Sequence, residues 1–310
     1  MNIKHKIISL TIVLITVITV LLAWKYYYGN HQISKDGLIY EIENGEAIVI
    51  GYDSSPVDVV IPDNISIWPV TSIKTWCFAK TKIESVICGK NLTRIESCAF
   101  LWCEDLEKVE LPENLLLIGG GAFNGCTKLQ NIHLPEGVMI NTEAFQYCYS
   151  LKDVTGGSHS RLGGVRVFRE TPFLDERDDE FIVFGDGNLL AYNGDDEKIM
   201  IPEEVRVIRG VFEDTTCKTI YVPETVECFD DYSFTQEKNI EIVFQSSDKR
   251  YDDPRNSIMF AGRVLPENSS KTEKDALTIV SEYDSEMRMV AEEYRINWRE
   301  ITEDERKMFK

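Results

Sequence analysis

The sequence predicts an α+β protein that is mostly β: a repeat solenoid of short parallel strands, preceded by a transmembrane helix and followed by an amphipathic helix. Three observations predict it. An uncharged apolar run fills Ile7 to Trp24, a phenylalanine recurs every 22 or 23 residues through the middle, and apolar residues at helical spacing mark the last forty positions. The chain has 310 residues and a net charge of −19, with 43% hydrophobic and 10% aromatic residues. That is apolar material enough for a sizeable core, so the chain is not disordered as a whole. The acidic balance argues against nucleic acid as a partner, because phosphate neutralisation needs a basic face.

The run IISLTIVLITVITVLLAW spans residues 7–24. As a helix at about 1.5 Å per residue it is roughly as long as a bilayer's hydrocarbon layer is thick. Lys4 and Lys6 precede it and Lys25 follows, a weak basic excess that favours a cytoplasmic N-terminus. Two fates are open, a cleaved signal peptide or an uncleaved signal anchor. Ala23 suits a cleavage site but Leu21 does not, and the run is long for a signal peptide, so the anchor is favoured. The expected organisation is a tail and anchor over 1–25, a stalk over 26–35, a solenoid over 36–248 and a helical cap or tail over 249–310. The protein would then be single-pass in the plasma membrane with its repeats outside the cytoplasm, or secreted if cleaved.

The repeat is defined by Phe78, Phe100, Phe123 and Phe145, and its phase continues to Phe168, Phe212 and Phe234. Six residues after Phe come three apolar positions, as in Leu106, Val109, Leu111 and in Leu129, Ile132, Leu134. Proline and then an acidic residue close the segment at Pro62, Pro112, Pro135, Pro202 and Pro223. The apolar segment is too short for a helix and reads as a strand, which proline ends because it lacks an N–H. One such unit cannot bury its apolar side alone, but stacked units bury a continuous column. Turns and short 3₁₀ pieces are expected on the other side of each coil.

A hairpin interrupts the repeat: Phe181 to Phe184 with Leu189 to Tyr192 is joined by a Gly-containing turn. The unit Ile-Pro, apolar-xx-Ile, Ala-Phe, Cys, Leu-xx-Val-x-Leu-Pro resembles the BspA-like leucine-rich repeats over roughly Asp36 to Asp248. Three further stretches share that resemblance: Gly37 to Ile42 with Ala47 to Tyr52 as an opening hairpin that caps the solenoid, Pro69 to Ile73, and Phe184 to Gly194. The hairpin at Phe181 to Tyr192 is then a second copy of the opening. It implies a surface leucine-rich-repeat protein that works by non-covalent binding, in adhesion or recognition, and it leaves the ligand open.

Cys103, Cys126 and Cys148 each lie three residues after a repeat Phe, so they are expected as an inward ladder of free thiols. Cys77, Cys98 and Cys217 also fall at core positions, although ladder neighbours are close enough for a bridge. The chain has no C-x-x-C, H-E-x-x-H, P-loop or G-x-S-x-G motif, and no catalytic residue, metal site or cofactor is assigned. Ser158 and His159 in a glycine-rich loop are a weak catalytic signal against an ordinary turn. The acidic runs 175–180 and 195–197 lack EF-hand spacing and suit turns as well as calcium.

Outward strand positions carry the functional expectation. Ser85, Lys108, Glu110, Asn131, His133, Asp153, Thr219 and Tyr221 would align on one extended binding face, with plain solvation as the alternative. Trp102 and Tyr147 share a repeat position around Gly125 and form an aromatic edge or pack over the glycine. In Ser269 to Lys310 the series Leu277, Val280, Tyr283, Met287, Val290, Tyr294, Trp298, Ile301 has helical spacing, which predicts an amphipathic helix broken near Asn297. It would cap the last coil or bind a partner. The function expected is membrane-anchored binding of an extracellular protein or glycan. The alternative is an envelope scaffold that assembles through this helix.

Overall fold

The computed structural model describes residues 16–19, 31–212, 215–230, 239–245, 277–281, 288, 291–292 and 296–309. Most of the expected anchor, and the last repeat phenylalanine Phe234, lie outside these residues. Within residues 7–24, Thr16 to Thr19 are helical with Val17 and Ile18 exposed. No helix among the described residues is long and apolar enough to cross a membrane. The chain divides into two compact units, Met1–Gly156 and Gly157–Lys310.

The first unit opens with β1 (His31–Lys35), β2 (Leu38–Glu43) and β3 (Glu46–Tyr52), an antiparallel meander. Asn44 and Gly45 both have positive φ, 53° and 85°, the pair that a tight hairpin turn between twisted strands requires. The expected stalk therefore ends sooner, since residues 31–35 already pair with the hairpin. The coils follow as β4 (Asp58–Ile61), β5 (Asn64–Ile65), β6 (Trp68–Ile73), β7 (Ser85–Cys88), β8 (Arg94–Ile95), β9 (Lys108–Glu110), β10 (Leu117–Ile118), β11 (Asn131–Leu134), β12 (Met139–Ile140) and β13 (Asp153–Gly156). They sort into two lines. Strands β4, β7 and β9 form one parallel sheet, and β11 pairs in parallel with β13. Strands β3, β6, β8, β10 and β12 form a second parallel line that continues the hairpin.

The second line was not expected. Its strands are mostly two residues long, one apolar residue facing in, too short to show alternation. They form because the backbone amides on that side of each coil need partners, and the next coil offers carbonyls in register. The third side carries turns rather than the expected 3₁₀ pieces. Its backbone alternates into positive φ two residues before and two after each Phe: Trp76 and Lys80, Cys98 and Trp102, Gly121 and Gly125, Glu143 and Tyr147. This lets each Phe amide reach outward to the next coil, as in Phe78 N to Ala99 O, Phe100 N to Ala122 O and Phe123 N to Ala144 O, all 2.8 Å.

Inside, Tyr52, Phe78, Phe100, Phe123 and Phe145 stack in one column with ring centroids 5.9, 5.2, 5.2 and 5.3 Å apart. The four phenylalanines are fully buried. The cysteine ladder lies beside them, and each thiol donates to a Phe carbonyl one coil back. Cys103 reaches Phe78 O at 3.0 Å, Cys126 reaches Phe100 O at 3.3 Å and Cys148 reaches Phe123 O at 3.2 Å. All eight cysteines are free thiols. Burial pushes the thiols of Cys77, Cys88 and Cys148 up to about 12, and that of Cys126 well above its ordinary value, so they are poor nucleophiles at neutral pH.

The second unit contains β14 (Arg161–Leu162), the short helix α1 (Pro172–Asp175), and the hairpin β15 (Phe181–Phe184) with β16 (Asn188–Tyr192). Tyr192 ends this hairpin and meets Phe212 at 6.0 Å, as Tyr52 ends the first and meets Phe78. The unit continues with β17 (Lys198–Met200), β18 (Val207–Arg209), β19 (Thr219–Val222), β20 (Cys228–Asp230), β21 (Ile240–Phe244), β22 (Leu277–Ser281), β23 (Asn297–Glu300) and α2 (Glu303–Met308). Strands β16, β18 and β20 run in parallel on the hairpin, and β17-β19-β21-β22-β23 is a five-stranded parallel sheet. An inward row, Ile199, Ile220, Ile242, Ile279 and Trp298, crosses that sheet in register.

The expected amphipathic helix is corrected here. Leu277 and Val280 lie in β22 and Trp298 in β23, while Arg288, Ala291 and Glu292 are helical and Tyr283, Met287, Val290 and Tyr294 lie outside the described residues. Three members of the helically spaced series, Leu277, Val280 and Trp298, thus belong to strands. Thr278, Ile279 and Val280 are β-branched in succession, which favours a strand. A genuine helix starts later, where Thr302 and Glu305 cap each other's backbone amides in a capping box.

Candidate functional site

Side chains alternate along a strand, so each inward residue of the first-unit coils leaves its neighbours outside. Register then aligns them. One row is Asp58, Ser85 and Lys108, with Asn131 and Asp153 paired beyond it. The other is Val60, Ile87 and Glu110, with His133 and Thr155 paired beyond it. The structure thus places six expected residues, Ser85, Lys108, Glu110, Asn131, His133 and Asp153, on one outward face. Ser85 is half-buried and the other five are exposed.

Local contacts order this face. Ser85 Oγ donates to Asp58 Oδ1, Lys108 Nζ lies 2.5 Å from Glu110 Oε1, and His133 Nδ1 lies 3.0 Å from Thr155 Oγ1. The Lys108–Glu110 pair is exposed and adds little stability, which leaves both charges accessible to a partner. Four residues of the face were missed: Asp58, Val60, Ile87 and Thr155. The signal existed, since Val59 and Ile61 are inward positions of a strand closed by Pro62, so Asp58 and Val60 had to point out. Val60 is 60% and Ile87 37% exposed, an apolar end to an otherwise polar surface.

Thr219 and Tyr221 behave differently and are corrected. Both are buried, at 8% and 3% exposure. Tyr221 does point away from the isoleucine row, as alternation requires. There it joins Val243, Val280 and Ile301 in a separate apolar cluster, with Phe309 packed on it. The Tyr221 and Phe309 rings meet edge-on at 5.8 Å. The C-terminal segment therefore covers the outward face of the second-unit sheet. Arg299 fastens it, with one guanidinium nitrogen 2.8 Å from Glu241 and 2.6 Å from Glu305. Hydrogen bonding from Arg299 holds the Glu305 carboxyl down at about 2. The sequence signal was the apolar run on both faces of β19 and β21, Ile220-Tyr221-Val222 and Ile242-Val243-Phe244, which marks a strand buried on two sides.

The aromatic edge exists. Trp102 is 38% exposed and stacks on Tyr147 with centroids 6.3 Å apart, and Tyr149 follows at 6.0 Å. Gly125 between them has φ +76°, and a Cβ there would lie 2.7 Å from the Trp102 ring. The indole thus packs over the glycine and presents its other face outward. Lys80, Lys82, Glu104 and Asp105 line a shallow cleft beside it. Ser158 Oγ and His159 Nδ1 are 3.3 Å apart on an exposed turn. Among the described residues no cluster of His, Cys, Asp or Glu could hold a metal ion.

The family description "BspA type Leucine rich repeat region" matches residues 54–174 and 190–252, in six copies. The chain belongs to this family. The resemblance drawn from the Phe, Cys and Pro positions is thereby established, and the fold is a leucine-rich-repeat β-solenoid. No curated protein matches the chain. Among solved structures it is similar to a leucine rich repeat protein of T. pallidum, at 23% identity and a TM-score of 0.45, covering 61% of this chain and 81% of that one. It is also similar to a leucine rich cell surface protein from Faecalibacterium prausnitzii, at 17% identity and 0.36, covering 89% and 96%. A third is the pneumococcal vaccine antigen PcpA, at 18% identity and 0.42, covering 70% and 71%.

Proposed function

We propose that this BspA-type repeat protein is held in the membrane by residues 7–24 and displays its coils outside the cell, where the first-unit strand face binds an extracellular protein or glycan. The observation that carries this reading is the exposed double row of outward side chains from Asp58 to Thr155, whereas in the second unit the C-terminal segment covers the outward side chains of its sheet. A rigid face of stacked strands holds polar groups at fixed spacing without ordering cost on binding. Its mixed composition, apolar at Val60 and Ile87 and polar from Lys108 to Asp153, suits a partner with both kinds of surface. The scaffold reading is disfavoured, because Ile301 and Phe309 of the C-terminal segment pack against the chain's own second-unit sheet.

The test is a binding screen of the full chain against matrix proteins and surface glycans, with Ser85, Lys108, Asn131 and His133 changed together to alanine. Saturable binding weakened by roughly tenfold or more in that variant is expected, the loss typical of a few central contacts. Binding that survives there and falls in Trp102→Ala with Tyr147→Ala would move the site to the aromatic edge. Absence of saturable binding to any partner would sink the recognition reading.

A further inference from the structure

The turn side of the first-unit coils carries a residue that core packing and local conformation explain only in part. Trp102 and Gly125 hold the same position of successive coils, two residues after Phe100 and Phe123. The backbone there is left-handed, with φ 56° at Trp102 and 76° at Gly125. Glycine suits such a position, and a bulky aromatic residue in it is strained. Burial offsets only part of that strain, since Trp102 remains 38% exposed. Its ring leans over Gly125 towards Tyr147, whose centroid is 6.3 Å away. Towards the preceding coil opens a shallow cleft of about 380 Å³, lined by Trp102 with Lys80, Thr81, Lys82, Glu104 and Asp105.

Backbone bonds between coils hold the cleft in shape. Lys80 N donates to Leu101 O and Trp102 N to Asn124 O, both at 2.7 Å, and Thr127 Oγ1 donates to Glu104 O at 3.2 Å. The indole is thus presented on a fixed backbone, and no loop need be ordered on binding. The polar lining is balanced, Lys80 and Lys82 against Glu104 and Asp105. Lys128 Nζ lies 2.7 Å from Asp105 Oδ1, and its hydrogen bond holds the Asp105 carboxyl below its ordinary value, so that it stays an acceptor. An ammonium only donates and a carboxylate only accepts, whereas a hydroxyl does both. A polyol can therefore satisfy the whole lining, while a simple ion meets one pair of charges and is repelled by the other.

We propose that this cleft binds a neutral hexopyranose unit of a glycan, its C–H face stacked on the Trp102 indole, its hydroxyls donating to Glu104 and Asp105 and accepting from Lys80 and Lys82. The negative π-face of an indole attracts the weakly positive hydrogens of such a face. A cleft of this size takes one ring and leaves the rest of the glycan in solvent. The site lies apart from the first-unit strand face and does not rest on that face having a partner.

The test is titration of the full chain, in a detergent without a sugar headgroup, with cellotetraose, chitotriose and lactose, and with trigalacturonate as the charged counterpart. Saturation-transfer NMR reads which sugar protons touch the protein. At least one neutral probe should bind saturably through its C–H protons, and trigalacturonate should bind less tightly. Trp102→Ala should weaken that binding by about tenfold or more. Glu104→Gln, at an exposed side chain, should weaken it by about fivefold with an unchanged melting transition, so that lost binding is not lost folding. The variant with Ser85, Lys108, Asn131 and His133 changed to alanine should bind the probe as the parent chain does. No saturable binding of any neutral probe at millimolar concentration, tighter binding of trigalacturonate, or binding undiminished in Trp102→Ala would overturn the proposal. Binding lost in the strand-face variant instead would overturn it too, while leaving the strand-face reading intact.

Discussion

Replacing Phe123 with alanine is expected to destabilise the first unit by about 3–5 kcal/mol, the range for a large aromatic side chain removed from a packed interior. Phe123 is fully buried and has a ring on each side, Phe100 at 5.2 Å and Phe145 at 5.3 Å. Its removal leaves a cavity and two unpaired ring faces in one step. The neighbouring coils cannot close the gap, because their spacing is fixed by the backbone bonds Phe100 N to Ala122 O and Phe123 N to Ala144 O. The same truncation at Trp102, which is 38% exposed at the edge, should cost far less. Denaturant unfolding of both variants checks the ordering. Equal losses would mean that the column is not the core of the unit.

Deleting residues 301–310 is expected to destabilise the second unit by about 3–5 kcal/mol, from the lost burial of Ile301 and Phe309 and of the surfaces they cover. The deletion exposes Tyr221, Val243 and Val280 and leaves Arg299 without Glu305. Acid should produce a milder version of the same effect. Glu305 sits at about 2 in the folded chain, below its ordinary 4.5, so its contribution is complete above about 4.5. That contribution is lost as pH falls from there towards 2. Glu305→Gln should remove the dependence over this window. Trp298 is the one tryptophan after Gly157, and it donates to Ser281 Oγ at 2.9 Å, so its fluorescence reports on this unit. A Trp298 transition indifferent to the deletion would contradict the covering role of the C-terminus.

The elements legible in the sequence are those in which one residue type recurs at a fixed phase. The Phe column, the cysteine ladder and the prolines that end strands each repeat, and each imposes one geometric constraint per coil. The second hairpin was legible from its glycine turn, and the first from the family resemblance. The second strand line was not, because two-residue strands carry no periodicity. Six of the eight expected face residues lie on the uncovered face. Thr219 and Tyr221 failed for a tertiary reason: alternation fixes which way a side chain points, and a segment eighty residues later decides whether anything covers it. The C-terminal helix was drawn too long, because spacings of three and four over 277–301 took in Leu277, Val280 and Trp298, which lie in strands.

The outward sheet face is exposed in the first unit and covered in the second. The protein's own eight thiols are free and mostly buried, which makes added cysteines readable against a quiet background. Asn131→Cys and Val243→Cys place one thiol on each face, exposed in the first case and beneath the C-terminal segment in the second. Labelling rates with a maleimide at neutral pH would be measured in the full chain. The Asn131→Cys thiol is expected to react as fast as a free thiol, and the Val243→Cys thiol to be protected until residues 301–310 are removed. Equal rates at the two positions in the intact chain would contradict it.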